Sequence, residues 1–276
     1  MPTKTRVRGS TNWADTAYWN GGTLPVTNDD VQVLEGTDSF ATGLNQAGVN
    51  LSSLLFDAGY GDLSTTVGAA GSPLRYDVNG TGAKLMRFAG SCAAFFFQGG
   101  TTGNVGQLEW FPSGGAGRLL ISGSTITTLV LQTGSATIND DVAVTTLVVE
   151  GGDHLLRTHA SNTPAITATG GRLRIERDWT TLEISGGAVV TIALAAGVTG
   201  GTINNRGGTL VWESGDAGAV SVFAGELDQS RLARASACGT LTLYGQAVER
   251  RAKGVARLTP GGSGRVEIGR GPTVVG

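Results

Sequence analysis

The groups of this chain able to carry acid–base or metal chemistry are few and scattered. Carboxylates stand at Asp140 and Asp141 in the stretch INDDV, at Asp153 and at Asp178, and the only histidines are His154 and His159. An enzyme acting on acidic polysaccharide needs carboxylates gathered on one exposed face, to hold calcium or to share general-acid and general-base roles. Asp140 and Asp141 are adjacent, and a strand running through them would send them to opposite faces. Asn139 and Asp140 instead read as turn chemistry, short polar side chains bonding to their own backbone. His154 and His159 lie five apart across an expected loop, with Asp153 adjacent. No cysteine or further histidine is near enough in sequence to complete a metal's ligand set. No G-x-S-x-G elbow sits between a strand and a helix, and no G-x-x-x-x-G-K-[ST] loop is present, so neither nucleophilic catalysis nor nucleotide binding is indicated. No catalytic, cofactor-binding or metal-binding residue is assigned, and no cofactor is expected.

The elements that would position any such group are strands. From about Leu119 onward the chain repeats a short alternating run of Val, Ile, Leu and Thr followed by a Gly-rich corner: LLIS at 119–122, TLVLQ at 128–132, ATIN at 136–139, TLVVE at 146–150, AITA at 165–168, RLRIE at 172–176, TLEIS at 181–185, VVTIA at 189–193, GTINN at 201–205 and GTLVW at 208–212. Within a run the alternation has period 2, with Leu173 and Ile175 facing in and Arg172, Arg174 and Glu176 facing out. Two runs make a unit of roughly 18–21 residues, the length of one solenoid coil. A single coil buries only a few aliphatic side chains, each contributing roughly 1.5–3 kcal/mol against a backbone ordering cost of about 1–2 kcal/mol per residue, so coils must stack to stand. The predicted fold is all-β: a right-handed parallel β-helix, or β-solenoid, with coils of roughly 18–21 residues.

Glycine pairs at Gly170-Gly171, Gly186-Gly187, Gly200-Gly201 and Gly207-Gly208 account for part of the 45 glycines as corner residues. These corners read GGRLR, GGAVV, GGTIN and GGTLV and lack the aspartate of calcium-binding nonapeptide repeats. One stretch, ELDQSRLARASA at 226–237, has few breakers and is expected to form a short helix interrupting the coils. Three regions follow: an N-terminal arm and cap over 1–40, a less regular β region over 41–118 forming wider coils or a lateral subdomain, and a regular solenoid with a basic end over 119–276.

A solenoid with bare terminal coils would polymerise through its open edges, so its ends need caps or partners. STNWADTAYWNGGTLPVTNDDVQVLEG has the composition of such a cap, with Trp13 and Trp19 lying over the open apolar end and Pro25 blocking continued pairing. Two cysteines, Cys92 and Cys238, do not make a disulfide framework. The start MPTKTRVRGSTNW has no apolar h-region, and no segment of 18 apolar residues occurs, which argues against classical secretion and against a membrane-spanning helix. The net charge of −2 hides an asymmetry: residues 231–276 carry eight Arg or Lys against Glu249 and Glu267, a balance of +6, which leaves −8 on the rest. Such a basic end is a partner-facing surface; with Tyr244 its sole interleaved aromatic, it does not have the make-up of a nucleic-acid site.

The order NW, WNGG, Pro25 and DDVQV, followed by the coils from 119, resembles β-solenoid proteins of bacterial surface passengers and of tailed-phage virions. It transfers no catalytic residue. Because the segment has no export signal, the resemblance implies the virion member of that pair: a non-enzymatic capsid decoration or cement protein, made in the host cytoplasm, placed on the capsid exterior and assembled as a homotrimer. Its partners would be the major capsid protein and copies of itself, with no membrane and no nucleic acid. Docking is expected through the N-terminal arm, with Arg6 and Arg8, and the basic C-terminal region, with Arg250, Arg251, Lys253 and Arg257. A tail or fibre protein that binds or degrades host glycan, and a bacterial surface adhesin, are the alternatives.

Overall fold

The computed structural model describes residues 3–78, 84–232, 236–250, 258–268 and 273–275. The chain divides into two compact units, Met1–Val144 and Thr145–Gly276. Each is a stack of coils whose strands pair in parallel along two ladders, so the chain is a parallel β-solenoid.

In the first unit, one ladder runs through Thr3–Arg6, Asp30–Gly36, Ser53–Tyr60, Leu85–Phe88, Asn104–Trp110 and Thr125–Leu131. The other runs through Asn45–Asn50, Leu74–Asp77, Ala94–Gly99, Arg118–Ser122 and Ser135–Ile138. The described residues of 41–118 therefore form coils of the stack. The widest separates Ser53 from its ladder partner Leu85, 32 positions on. This part of the core is aromatic: Phe56, Phe88, Phe95 and Trp110 are fully buried, and their neighbouring ring centroids lie 4.8–6.3 Å apart.

In the second unit, the strand pairs Thr146–Val149 with Ala165–Ala168, then Thr181–Ile184, then Thr202–Asn205. Facing it, Asp153–Leu156 pairs with Arg172–Ile175 and then with Val189–Ile192. Three successive coils are each one long strand bent at a corner, in Thr199–Ser214, Asp216–Asp228 and Ser236–Arg250. Parallel register stacks like on like. Leu147, Ile166, Leu182, Ile203, Val220 and Leu241 occupy one column, all of them buried. Coil length is less uniform than the expected 18–21: Ala165 meets Thr181 after 16 residues, whereas Thr240 meets Arg265 after 25. Part of the difference lies within the strands, where the register shifts between Cys238 and Thr240, and the rest between the paired strands.

The bends depend on particular residues. Asn205 replaces an aliphatic residue in the column of Ile184 and Val222 and is fully buried. Its amide donates to the carbonyls of Gly208 and Glu226, at 3.0 Å each, and accepts from the N–H groups of Gly207 at 3.2 Å and Gly208 at 2.9 Å. All four of its hydrogen-bonding positions are thereby used, and the corner's backbone is satisfied from inside. On the next coil Gly225 has φ +84°, and a Cβ there would sit 2.2 Å from the Gly208 oxygen.

The helix expected over 226–237 is not what forms. Glu226 to Asp228 continue a strand, a turn closes with the Leu232 N–H donating to the Gln229 carbonyl at 3.2 Å, and a new strand starts at Ser236; 233–235 lie outside the described residues. Leu227 and Gln229 alternate inward, so the stretch has a period-2 face. Ladder bonding to the coil before, with Leu210 beside Leu227, overrides the helix preference of Leu, Arg and Ala.

Candidate functional site

The residues singled out by the sequence converge at the start of the first unit, where they build a closure. Trp13 and Trp19 are buried, edge to face with centroids 5.1 Å apart. Phe40 meets the Trp13 ring at 5.0 Å. The Trp13 indole N–H donates to the buried Tyr76 hydroxyl at 2.7 Å, and the Trp19 indole N–H to the Trp13 carbonyl at 2.9 Å. Burial pushes the Tyr76 phenol well above its ordinary range, so the group stays neutral and its oxygen accepts.

The strand Thr3–Arg6 has one edge on Asp30–Gly36. Its other edge is occupied by the following segment. Val7 N–H donates to the Tyr18 carbonyl at 3.0 Å, and Arg6 and Trp19 form an antiparallel bridge. Asn20 supplies the remainder: its side-chain oxygen accepts from Thr5 N–H at 2.9 Å and its amide donates to the Thr3 carbonyl at 3.0 Å. A side-chain amide thus presents one acceptor and one donor, as a neighbouring strand's peptide would, and fills the edge where another chain would pair. Pro25 is buried in the loop before Asp30. The groups that bond to the strand edge belong to Tyr18, Trp19 and Asn20, not to the proline. Sequence reasoning missed Asn20; its signal was the WNGG tetrapeptide, whose glycines at φ +77° and +64° turn the chain just after it.

Arg6 requires a correction. Expected as a docking residue, it is 1% exposed and belongs to the core of the closure. Its position alternates inward and stacks on buried Val33. The guanidinium lies 5.1–5.5 Å from the centroids of Phe40, Tyr18 and Trp19 and donates from Nη2 to the carbonyls of Ser10 and Asn12, at 3.1 and 2.9 Å. Desolvation lowers its pKa, opposed by Asp15 and Asp38. Three ring faces and two carbonyls stand in for water around this cation. Arg8, two residues on, is exposed. Arg250 lies in the strand Ser236–Arg250, while Arg251, Lys253 and Arg257 fall outside the described residues.

The candidate chemical groups do not assemble into one site. Asp140 and Asp141 form an exposed turn, with Val142 N–H donating to the Asn139 carbonyl at 3.3 Å. Asp153 opens the strand Asp153–Leu156, whereas Asp178 lies three residues beyond the end of the neighbouring strand Arg172–Ile175, so the two are at opposite ends of one sheet face. His154 is buried in a column with Leu173, Val190, Leu210 and Leu227. Its Nε2–H donates to the Gly151 carbonyl at 2.6 Å, its Nδ1 has no hydrogen-bond partner, and desolvation lowers its pKa. Farther along that column, after Leu227, stands Glu249, also buried, accepting from the Gln229 side chain at 2.8 Å. His159 lies in a corner loop. Among the described residues no group of three or more His, Cys, Asp or Glu is placed to hold a metal ion, and no helix is long and apolar enough to cross a membrane. Cys92 and Cys238 are buried free thiols, pushed up by burial to about 12 and about 11.

Comparison of the chain with protein-family models, with curated proteins and with solved structures finds no match in any of the three.

Proposed function

We propose that this chain is a non-enzymatic structural protein that decorates a larger protein shell, the shell being the capsid of a tailed phage as the sequence resemblance implies. The observation that carries the reading is the joining of a parallel stack to an end sealed from within. Within each unit the coils are hydrogen-bonded to the coil before and the coil after, which makes each stack resist bending and stretching. The closure by Trp19 and Asn20 lets the stack of the first unit stop without pairing edge to edge with further copies. A protein of this kind adds buried interface between neighbouring shell subunits and opposes their separation under internal pressure. Docking would use exposed Arg8 and the basic region from Arg231 to Arg270, with the shell protein and further copies of the chain, in a trimer, as partners.

The test is quantitative mass spectrometry of density-gradient-purified particles from cells making this protein, scored against the most abundant shell protein. A fixed ratio near one to one, or one to a small integer, is expected. A few copies per particle would move the chain to the tail, and its absence from particles would overturn the reading.

A further inference from the structure

The second unit carries a cleft that the shell reading does not use. Three stacked strands, Asp153–Leu156, Arg172–Ile175 and Val189–Ala193, end at the same corner, and the loops that leave them surround a cavity of about 290 Å³. Two of these loops, 176–180 and 194–198, have five residues; the third, 157–164, has eight. The coil does not need the extra residues to turn, and insertions of this kind on a rigid scaffold are where binding groups concentrate.

The long loop is held rather than slack. Arg177 alternates inward and is 1% exposed, and its guanidinium straps the loop near both ends, donating from Nε to the Arg157 carbonyl at 2.5 Å and from Nη1 to the Asn162 side-chain oxygen at 3.1 Å. Within the loop the His159 Nδ1 accepts two backbone N–H groups, from Ser161 at 3.1 Å and Asn162 at 3.0 Å. That arrangement places the ring proton on Nε2 and fixes the imidazole plane. The ring is half-buried and lines the cleft together with Thr158, Glu176, Asp178, Val198 and Thr199.

The lining combines two carboxylates, two hydroxyls, an oriented imidazole and a small apolar contact. Carboxylates accept from hydroxyl groups, Glu176 with the capacity left by its ion pair with Arg174 at 3.1 Å; threonine hydroxyls donate or accept, and the one cation of the lining is buried in the strap. Such an inventory suits a neutral ligand bearing several hydroxyls and repels anions. The cavity stands at the lower limit of small-ligand sites, room for one ring. We propose that this corner binds a single neutral saccharide unit, with Asp178 and Glu176 accepting from its hydroxyls and His159 and Thr199 fixing its orientation. The inference is independent of the shell reading, because it concerns the isolated chain.

Saturation-transfer NMR on the full chain tests it, using millimolar methyl glycosides of glucose, galactose, mannose and N-acetylglucosamine, with glucuronate and inorganic phosphate as anionic probes and calcium chloride in a separate titration. Transfer to at least one neutral glycoside and to neither anion is expected, weakened at least tenfold in Asp178→Ala and in His159→Ala and unchanged in Asp140→Asn. The two variants touch different elements, so a folding defect in one leaves the other as a measure, and the wild-type result decides binding by itself. No transfer to any neutral glycoside, transfer to the anions alone, binding that survives both substitutions, or calcium-induced shifts centred on Glu176 and Asp178 without sugar would each overturn the proposal.

Discussion

Replacing Trp13 probes the closure at its centre. The side chain is fully buried, meets Trp19, Phe40, Phe56 and Tyr76, and donates to the Tyr76 hydroxyl at 2.7 Å. Truncation of a buried Trp to Ala costs about 3–5 kcal/mol. Here the buried Tyr76 oxygen also loses its donor, which places Trp13→Ala near the top of that range. The hydrogen bond can be isolated in a cycle. Trp13→Phe leaves the Tyr76 hydroxyl unpaired and Tyr76→Phe leaves the indole N–H unpaired, each at about 1–3 kcal/mol, whereas the double variant leaves neither. The double variant should therefore be more stable than the sum of the singles predicts, by about 1–2 kcal/mol. Stacked coils can open in parts, so the readout is native-state hydrogen exchange at the Val7 and Trp13 amides, which bond within the closure to the Tyr18 and Thr42 carbonyls. Trp13→Ala should speed their exchange by about a thousandfold while amides of the second unit, such as Thr202, keep their rates. Additivity within about 0.5 kcal/mol would refute the role given to the hydrogen bond, and unchanged exchange at Val7 would refute the closure.

Three further outcomes follow from named contacts. Asn20→Ala should cost only about 1 kcal/mol, because the residue is exposed and water replaces its bonds, yet it should raise the association state seen by analytical ultracentrifugation by freeing the edge of Thr3–Arg6; a monodisperse variant at all concentrations would count against the plug. Gly225→Ala should destabilise by about 2 kcal/mol or more, since it combines a positive φ with a backbone oxygen 2.2 Å from the new Cβ, while Gly22→Ala, with positive φ but open space, should cost about 1–2 kcal/mol in denaturant titration; equal costs would show that the coil above can yield. Burial holds the folded-state pKa of His154 below the ordinary 6.5, so the unfolded chain binds the extra proton as pH falls through 6.5, and stability present above that value is lost below it. His154→Leu extends the column of Leu173 and Val190 and should gain on the wild type progressively from pH 7 to pH 5; a gain that does not change with pH would mean that His154 does not titrate between the two states.

The regular coils were legible because burial alternates with period 2 on both ladders: runs such as RLRI and VVTIA carry that pattern in their own sequence. The burial of the two tryptophans was legible because large rings next to a glycine turn are driven from water at the start of a solenoid. Other features depend on what the chain meets after folding. Arg6 is a basic residue among basic residues until register sets it over Val33 and three aromatic rings close around it. Asn20 becomes a strand surrogate only because Thr3 and Thr5, 17 and 15 residues earlier, turn the same edge toward it. Glu226 to Asp228 have good helix formers after them, yet the edge of the coil below supplies bonds that an isolated helix of that length could not match. His154 and Glu249 break the rule that polar residues face out, each held by a local acceptor or donor, and no spacing announces such pairings.

Stacking constrains the strands much more than the corners, and that difference separates mechanical from chemical roles in this molecule. A strand residue that faces in has a like residue above and below, so a change at Leu182 disturbs Ile166 and Ile203 together. A corner has no such obligation. The passage from Ser53 to Leu85 is 32 residues and that from Ala165 to Thr181 is 16, yet both close into the same ladder geometry. The loop 157–164 exploits that freedom: its length is extra, its ends are tied to the core by Arg177, and its interior presents His159 to a cleft. Substitution of His159 or Asp178 should therefore leave the stiffness of the stack intact, and substitution of a column residue such as Leu182 should weaken the stack before it alters the cleft. Rigidity and recognition can then be measured as separate properties of one chain, and a variant that lost both through a single exposed corner residue would contradict this division.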